Sequence, residues 1–218
     1  MKHLLLILIL LFSISGFSKT YDRNFGRDLK LPTQKMLEYN RVAVPAALST
    51  TLILATEAGD TTGATKTVTT FVAQQDVARA LIVTPQGTTA DVKEGNVVIT
   101  GTNIKGESIS ENFAFLDNAS GATTGAKAFL TVTSIVFPIE DAPFGATWDV
   151  GTTDKLGLNK CVAQAGDVAW TVFGGTLEAT NATCVIDVDD MEGNTCDPSS
   201  ACNGSNVDFY FIQNYRCF

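Results

Sequence analysis

Between residues 97 and 115 the chain reads VVITGTNIKGESISENFAF, and apolar or β-branched residues recur at nearly every second position. A period of two is the spacing of a pleated strand, whose successive side chains point to opposite faces. Val98, Thr100, Thr102 and Ile104 share one face, and Val97, Ile99, Gly101 and Asn103 the other, so the strand start is expected to be covered on both sides. Lys105-Gly106 supplies a hairpin turn. Beyond it Ile109, Glu111, Phe113 and Phe115 alternate with Ser108, Ser110, Asn112 and Ala114. This predicts a half-buried strand with one acidic residue on its apolar face.

The same texture extends along most of the chain. Strands are predicted in KTVTTFVAQ, in ARALIVTPQG (stopped by Pro85-Gln86-Gly87), in KAFLTVTSIVFP, in VAWTVFGGTLEA, in ATCVIDVDD and in VDFYFIQNYRCF. RVAVPAALSTTLILA reads as a strand broken at Pro45 and followed by a short strand or helical turn. LDNASGATTGA reads as a loop, and GTTDKLGL as a turn between strands. Eight to ten strands at this spacing, with no helical crossovers, predict an all-β fold: an antiparallel β-sandwich or a jelly-roll or barrel-like domain. It is expected to span residues 41–218, with two β subdomains meeting near 160 as a variant. Residues 19–40 concentrate charge around Pro32 without a sustained period. They read as an extended arm or linker, or as a short helix near Gln34–Tyr39.

The first eighteen residues differ. Lys2 precedes an unbroken apolar run, Leu4, Leu5, Leu6, Ile7, Leu8, Ile9, Leu10, Leu11 and Phe12, then small residues with Gly16 and Ser18 placed for a cut before Lys19. The run is too short for a comfortable transmembrane helix. It reads as a secretory signal, or as a hydrophobic assembly arm that buries itself against a neighbouring subunit.

Five cysteines, Cys161, Cys184, Cys196, Cys202 and Cys217, all lie in the last 58 residues. No pair has C-x-x-C spacing and no histidine stands near, so the pattern suits disulfides rather than a metal knuckle. Cys196 and Cys202 flank a turn-rich loop that a disulfide can close, and Cys217 can tie the last strand to Cys184 or Cys161. The odd number leaves one thiol free or shared between chains. Asn118, Asn181 and Asn203 open N-x-Ser/Thr sequences of the kind a Ser/Thr-rich chain produces by chance.

Composition removes several function classes. Charged residues are 17% and the net charge is −8, with Lys and Arg scattered, so no nucleic-acid groove is expected. The one histidine is His3, which leaves the rest of the chain without the usual general base. The densest acidic run, DVDDMEGNTCD, offers Asp187, Asp189, Asp190 and Glu192 as a faint calcium candidate, but its glycine and glutamate do not fall where an EF-hand needs them. Trp148 and Trp170, with Phe144 and Phe173, are more readily core than a sugar platform. Paired carboxylates keep a glycosidase as a third and weaker reading.

The order of motifs resembles that of structural proteins of tailed-bacteriophage virions. In that family a V-x-G-T-[ND]-x-x-G-x-x-[IL]-x-E hairpin is followed by G-x-K-A-F-x-x-V-x-S-I, then G-D-x-L-G-L, then a closing segment that ends in V-D-x-Y-[YF]-I. Here the pieces stand as ITGTNIKGESISENFAF, GAKAFLTVTSIVFP, GATWDVGTTDKLGL and NGSNVDFYFIQNY, the closing segment matching at Asn194, Thr195, Ser199, Asn203, Gly204, Ser205, Val207, Asp208, Tyr210, Phe211 and Ile212. The match spans about residues 66–213. The resemblance implies a non-enzymatic β-rich subunit, a head-decoration or cement protein on the capsid surface. It would bind the major capsid protein or other virion subunits as a homo-oligomer, trimer or dimer. No catalytic residue, cofactor or small-molecule substrate comes with it. The secretion-like leader and the cysteines depart from that family, and keep open an exported surface or adhesin-like module, secreted or on a cell surface, or a tail- or fibre-associated virion protein.

Overall fold

The computed structural model describes residues 37–42, 44–60, 62–160 and 162–212. The arm residues Leu4–Phe12, the leader and the segment before Leu37 lie outside them, as do Cys161 and Cys217. The described chain is all-β and antiparallel. Its strands are β1 (Leu37–Val42), β2 (Ser49–Ala58), β3 (Lys66–Val68), β4 (Arg79–Gly87), β5 (Gly95–Thr102), β6 (Ser108–Phe115) and β7 (Thr123–Phe129). There follow β8 (Thr131–Phe137), β9 (Ala146–Gly157), β10 (Val168–Phe173), β11 (Thr176–Leu177), β12 (Thr183–Val185), β13 (Thr195–Asp197) and β14 (Val207–Ile212). The strands beyond the eight to ten expected include two- and three-residue pieces too short to leave a periodic signal.

Three sheets form. One runs β3-β8-β5-β6; a second runs β12-β13-β9-β4-β7, with β2 also on β9; the third runs β1-β14-β10-β11. The first two face each other across one hydrophobic cluster built from Leu81, Val97, Ile99, Phe113, Phe129, Ile135, Phe137 and Trp148, among others. Trp148 is fully buried, meets Phe115 edge-on at 5.1 Å and stacks on Phe137 at 5.5 Å. Rings from β6, β8 and β9 thus meet at one point, as aromatic packing geometry favours. The third sheet closes a second cluster containing Val42, Val77, Leu156, Leu158, Val168, Cys196, Val207, Phe209 and Phe211. That cluster draws on residues from both sides of position 160, and β9 supplies both clusters.

The expected hairpin of β5 and β6 forms, with Gly95 opposite Phe115 and Thr102 opposite Ser108. Val97 and Ile99 are fully buried, while Val98 is half-buried. In β6, Ile109, Phe113 and Phe115 point inward and Glu111 is half-buried among them.

Several expectations change. KAFLTVTSIVF is two strands, because the chain crosses from one sheet to its opposite at Leu130, whose N–H donates to the Thr102 carbonyl at 2.7 Å. Both halves are apolar because both face the same core, so no polar break marks the corner. Pro85 does not end β4: it pairs with Trp148. Pairing with β7 ends at Val83, and a residue without an N–H fits a strand where one side is open. GTTDKLGL is not a turn but most of the C-terminal half of β9, where a Cβ on Gly151 would lie 2.0 Å from the Ser49 carbonyl oxygen of β2. Its glycine serves close strand approach, not chain reversal. The strand expected from Arg41 begins earlier: Leu37–Val42, which takes in the end of the segment read as arm or short helix, is paired along its whole length with β14.

Gly101 sits at a register irregularity between β5 and β8, where a Cβ would come within 1.9 Å of the Thr131 carbonyl oxygen. A backbone atom cannot swing away, so Gly101→Ala is expected to cost about 1–3 kcal/mol. Gly121→Ala, with open space around it, is expected to stay within about 0.5 kcal/mol of the parent. Urea unfolding of both variants checks the contrast.

Candidate functional site

Chemistry needs ionisable groups that converge, so the buried ones are the place to look. The first is Glu111. From β6 it crosses the gap to β7 and accepts the N–H groups of Ala126 at 2.6 Å and Lys127 at 3.3 Å. The two strands do not share a ladder, and this carboxylate takes the place of one. Burial pushes its pKa up, opposed by the backbone N–H groups of Ala126 and Lys127 and by the charge of Lys127. The acidic residue on the apolar face is therefore a seam between sheets. Nearby, Asn103 is almost fully buried in the β5–β6 turn, and its side-chain carbonyl accepts the N–H groups of Lys105 and Glu107 at 2.9 and 3.0 Å.

A second buried carboxyl closes the end of the sandwich. Glu140 is 2% exposed; its Oε1 accepts the indole N–H of Trp148 at 2.9 Å, and its Oε2 has no hydrogen-bond partner among the described residues. Burial raises its pKa, opposed by the Trp148 hydrogen bond and reinforced by the charges of Asp91 and Asp60. Asp91 accepts the Gly145 N–H at 2.7 Å, and Asp60 gathers the N–H groups of Thr62 and Ala64, both at 2.7 Å, with the Thr62 hydroxyl at 2.6 Å. Each of the three carboxylates is engaged with its own local fold.

The third is Arg79, 1% exposed, which holds the Ala46 carbonyl with both terminal nitrogens at 3.2 and 3.3 Å and pairs with Asp76 at 3.0 Å. Cys202 is a buried free thiol in the second cluster. Burial and the neighbouring charge of Asp154 push its pKa up to about 12, so it stays protonated and unreactive at neutral pH.

The predicted disulfide across the loop between Cys196 and Cys202 is not formed. Cys196 pairs instead with Cys184, directly opposite it in the β12–β13 register with Cα atoms 4.1 Å apart. Sequence proximity favours the six-residue loop, but antiparallel pairing sets the other geometry. The acidic run does not gather into a ligand set. Asp187 accepts the N–H groups of Asp189 and Asp190 at 2.9 and 3.2 Å, which lowers its pKa, while Glu192 turns away to Lys127 at 3.4 Å. No group of three or more Asp, Glu, Cys or His side chains that could hold a metal occurs among the described residues. The same run contains β13, whose three residues are too few to read from pattern.

What remains is surface. The third sheet turns Val207, Phe209 and Phe211 inward, so Tyr210 lies on its outer face. Trp170 is opposite Tyr210 in the register, 38% exposed, and packs on it at a ring separation of 5.7 Å. Val172 lies two residues along β10, opposite Leu177, which is 63% exposed. Of the four aromatics singled out in the sequence, Trp148 is core and Trp170 is the one presented to solvent in strand. Among the described residues no helix is long and apolar enough to cross a membrane. No family model, no curated protein and no solved structure matches the chain.

Glu140 gives a pH-dependent signature. Its folded pKa is raised, so its stabilising contribution is complete below the ordinary glutamate value of 4.5 and is lost as pH rises through the folded value. Glu140→Gln removes that loss. Relative to the parent, the variant is expected to gain stability progressively as pH rises above the ordinary glutamate value, by urea unfolding at each pH. Glu111→Ala strands two N–H groups and is expected to cost about 1–3 kcal/mol.

Proposed function

We propose that the chain is a non-enzymatic virion structural subunit, a head-decoration or cement protein that binds across junctions between capsid subunits as a trimer or dimer. The observation that carries this reading is the use made of the motifs shared with phage virion proteins. ITGTNIKGESISENFAF forms most of β5 and β6, GAKAFLTVTSIVF most of β7 and all of β8, GATWDVGTTDKLG contains β9, and NGSNVDFYFI ends in β14. These strands contribute to both cores, so the pattern that resembles the family is a scaffold pattern. The charged groups withdrawn from solvent support the same view: Glu111, Asp91 and Arg79 bind backbone of the fold itself.

Binding then rests on shape and apolar contact. The outer face with Trp170, Tyr210 and Leu177 presents the large, rigid side chains that anchor interfaces, on a sheet stiff enough to hold them in place. One observation favours the second reading, an exported surface or adhesin-like module: the Cys184–Cys196 disulfide suits an oxidising setting. The mature N-terminus separates the two, since Lys19 marks export and Met1 marks a retained arm.

The test is made on particles. Capsids carrying the protein are expected to melt higher than capsids without it and to hold it at a fixed stoichiometry. Trp170→Ala with Leu177→Ser is expected to lower occupancy at least about tenfold while the isolated subunit stays folded. Particles with unchanged melting and no stoichiometric occupancy would refute the reading.

A further inference from the structure

The hairpin of β12 and β13 is small for what it carries. Its ladder holds three residue pairs, Thr183 with Asp197, Cys184 with Cys196 and Val185 with Thr195. Thr183 and Val185 are exposed, and Cys184 is half-buried. β12 therefore brings no fully buried side chain of its own, and a hairpin of this size is at best marginal in water. β13 is anchored differently. Thr195 and Cys196 are buried, and they pair with Gly157 and Leu156 of β9.

Between these strands runs the acidic segment 186–194. Its turn at Met191–Gly193 sets Glu192 against Lys127 of β7 at 3.4 Å, and against the side-chain nitrogen of Asn103 at 3.5 Å. Asn194 is fully buried and donates to the carbonyls of Asp187 and Asp190 at 2.7 and 2.9 Å, which fixes the shape of the loop. So the loop is rooted in the second cluster by Ile186 and by the Leu158 N–H, which donates to the Asn194 carbonyl at 2.9 Å; Glu192 carries it across to Lys127 and Asn103, and one covalent bond closes the ring. The segment lies inside a loop whose two ends, Cys184 and Cys196, are 12 residues apart in sequence.

We propose that the Cys184–Cys196 disulfide is a redox-operated clasp: closed, it keeps segment 186–194 docked on Lys127 and Asn103, and opened by a small thiol reductant it releases β12 and that segment together while both cores stay folded.

The chemistry balances with the reductant as the one added reactant. Its thiolate attacks the Cys184 sulfur, which is the accessible one because Cys196 is fully buried. The S–S bond breaks, its electron pair leaves on the Cys196 sulfur, and that sulfur takes a proton. A second thiol of the reductant then attacks the mixed disulfide, leaving two protein thiols and an oxidised reductant: two electrons and two protons in all. Cys202 shares the cluster with Cys196 but keeps its proton at neutral pH, so it does not capture the opened bond. The clasp is open in a reducing cytosol and closes outside it.

Hydrogen exchange on the full-length protein tests this, before and after treatment with a dithiol. On reduction, amides of residues 183–194 are expected to exchange about a hundredfold faster, with those of β5, β8 and β9 unchanged. The Cys184→Ser, Cys196→Ser double variant is expected to reproduce that local pattern without reductant. Glu192→Ala provides an independent arm that leaves the disulfide intact. Because docking and bond closure are coupled, loss of the Glu192 contacts is expected to speed reduction of Cys184–Cys196 several-fold. Unchanged exchange in 183–194 on reduction would overturn the clasp. So would acceleration spread evenly over both cores, or a reduction rate indifferent to Glu192.

Discussion

A strand of 12 residues, β9, must satisfy two hydrophobic clusters at once, and the remaining architecture follows from that constraint. Its first half carries Trp148 and Val150 into the sandwich, and its last residues carry Leu156 into the second cluster. Along one side it is paired by β4, and along the other by β2 and then β13. A strand flanked in this way has its backbone groups taken up by ladders, and burial of its side chains in two places removes freedom to slip, since a shift of one residue would turn every inward side chain outward. Gly151 lets β2 approach, and the twist and irregular pairings at Ser49–Leu54 and Leu54–Glu57 accommodate the change of neighbour.

Where sheets meet without a shared ladder, side chains take over the hydrogen bonding. Glu111 does so between β6 and β7. Within the second sheet, Asp91 accepts at Gly145 beyond the end of the β4–β9 ladder, and Arg79 with Asp76 holds Ala46 ahead of β2. Buried polar groups are tolerated when they are paired, and removing a partner leaves a donor or acceptor stranded. Each of these groups is engaged with backbone of the fold. Trp170, 38% exposed, packs on the half-buried Tyr210 on the outer face of the third sheet.

The disulfide and the acidic segment link the two clusters in a second way. β9 joins them through the interior, and Glu192, its side chain 12% exposed, joins them through contacts to Lys127 and Asn103 presented by a covalent loop.

Alternation, turn residues and strand spacing determined the all-β class, the β5–β6 hairpin and the odd place of Glu111, because those are local properties of adjacent residues. Local pattern had no hold on the corner at Leu130, where both flanking strands face one core and the apolar run is continuous. Nor had it any on the first four residues of β1 or on its ladder partner β14 at the far end of the described chain, or on the choice of Cys184 over Cys202 as partner of Cys196. Each of these is decided by which segments come to lie side by side, and cross-strand register is a relation between distant residues. Tertiary structure alone also settled that Trp148 is core while Trp170 faces solvent, since both occupy strands of similar composition and differ only in what packs over them.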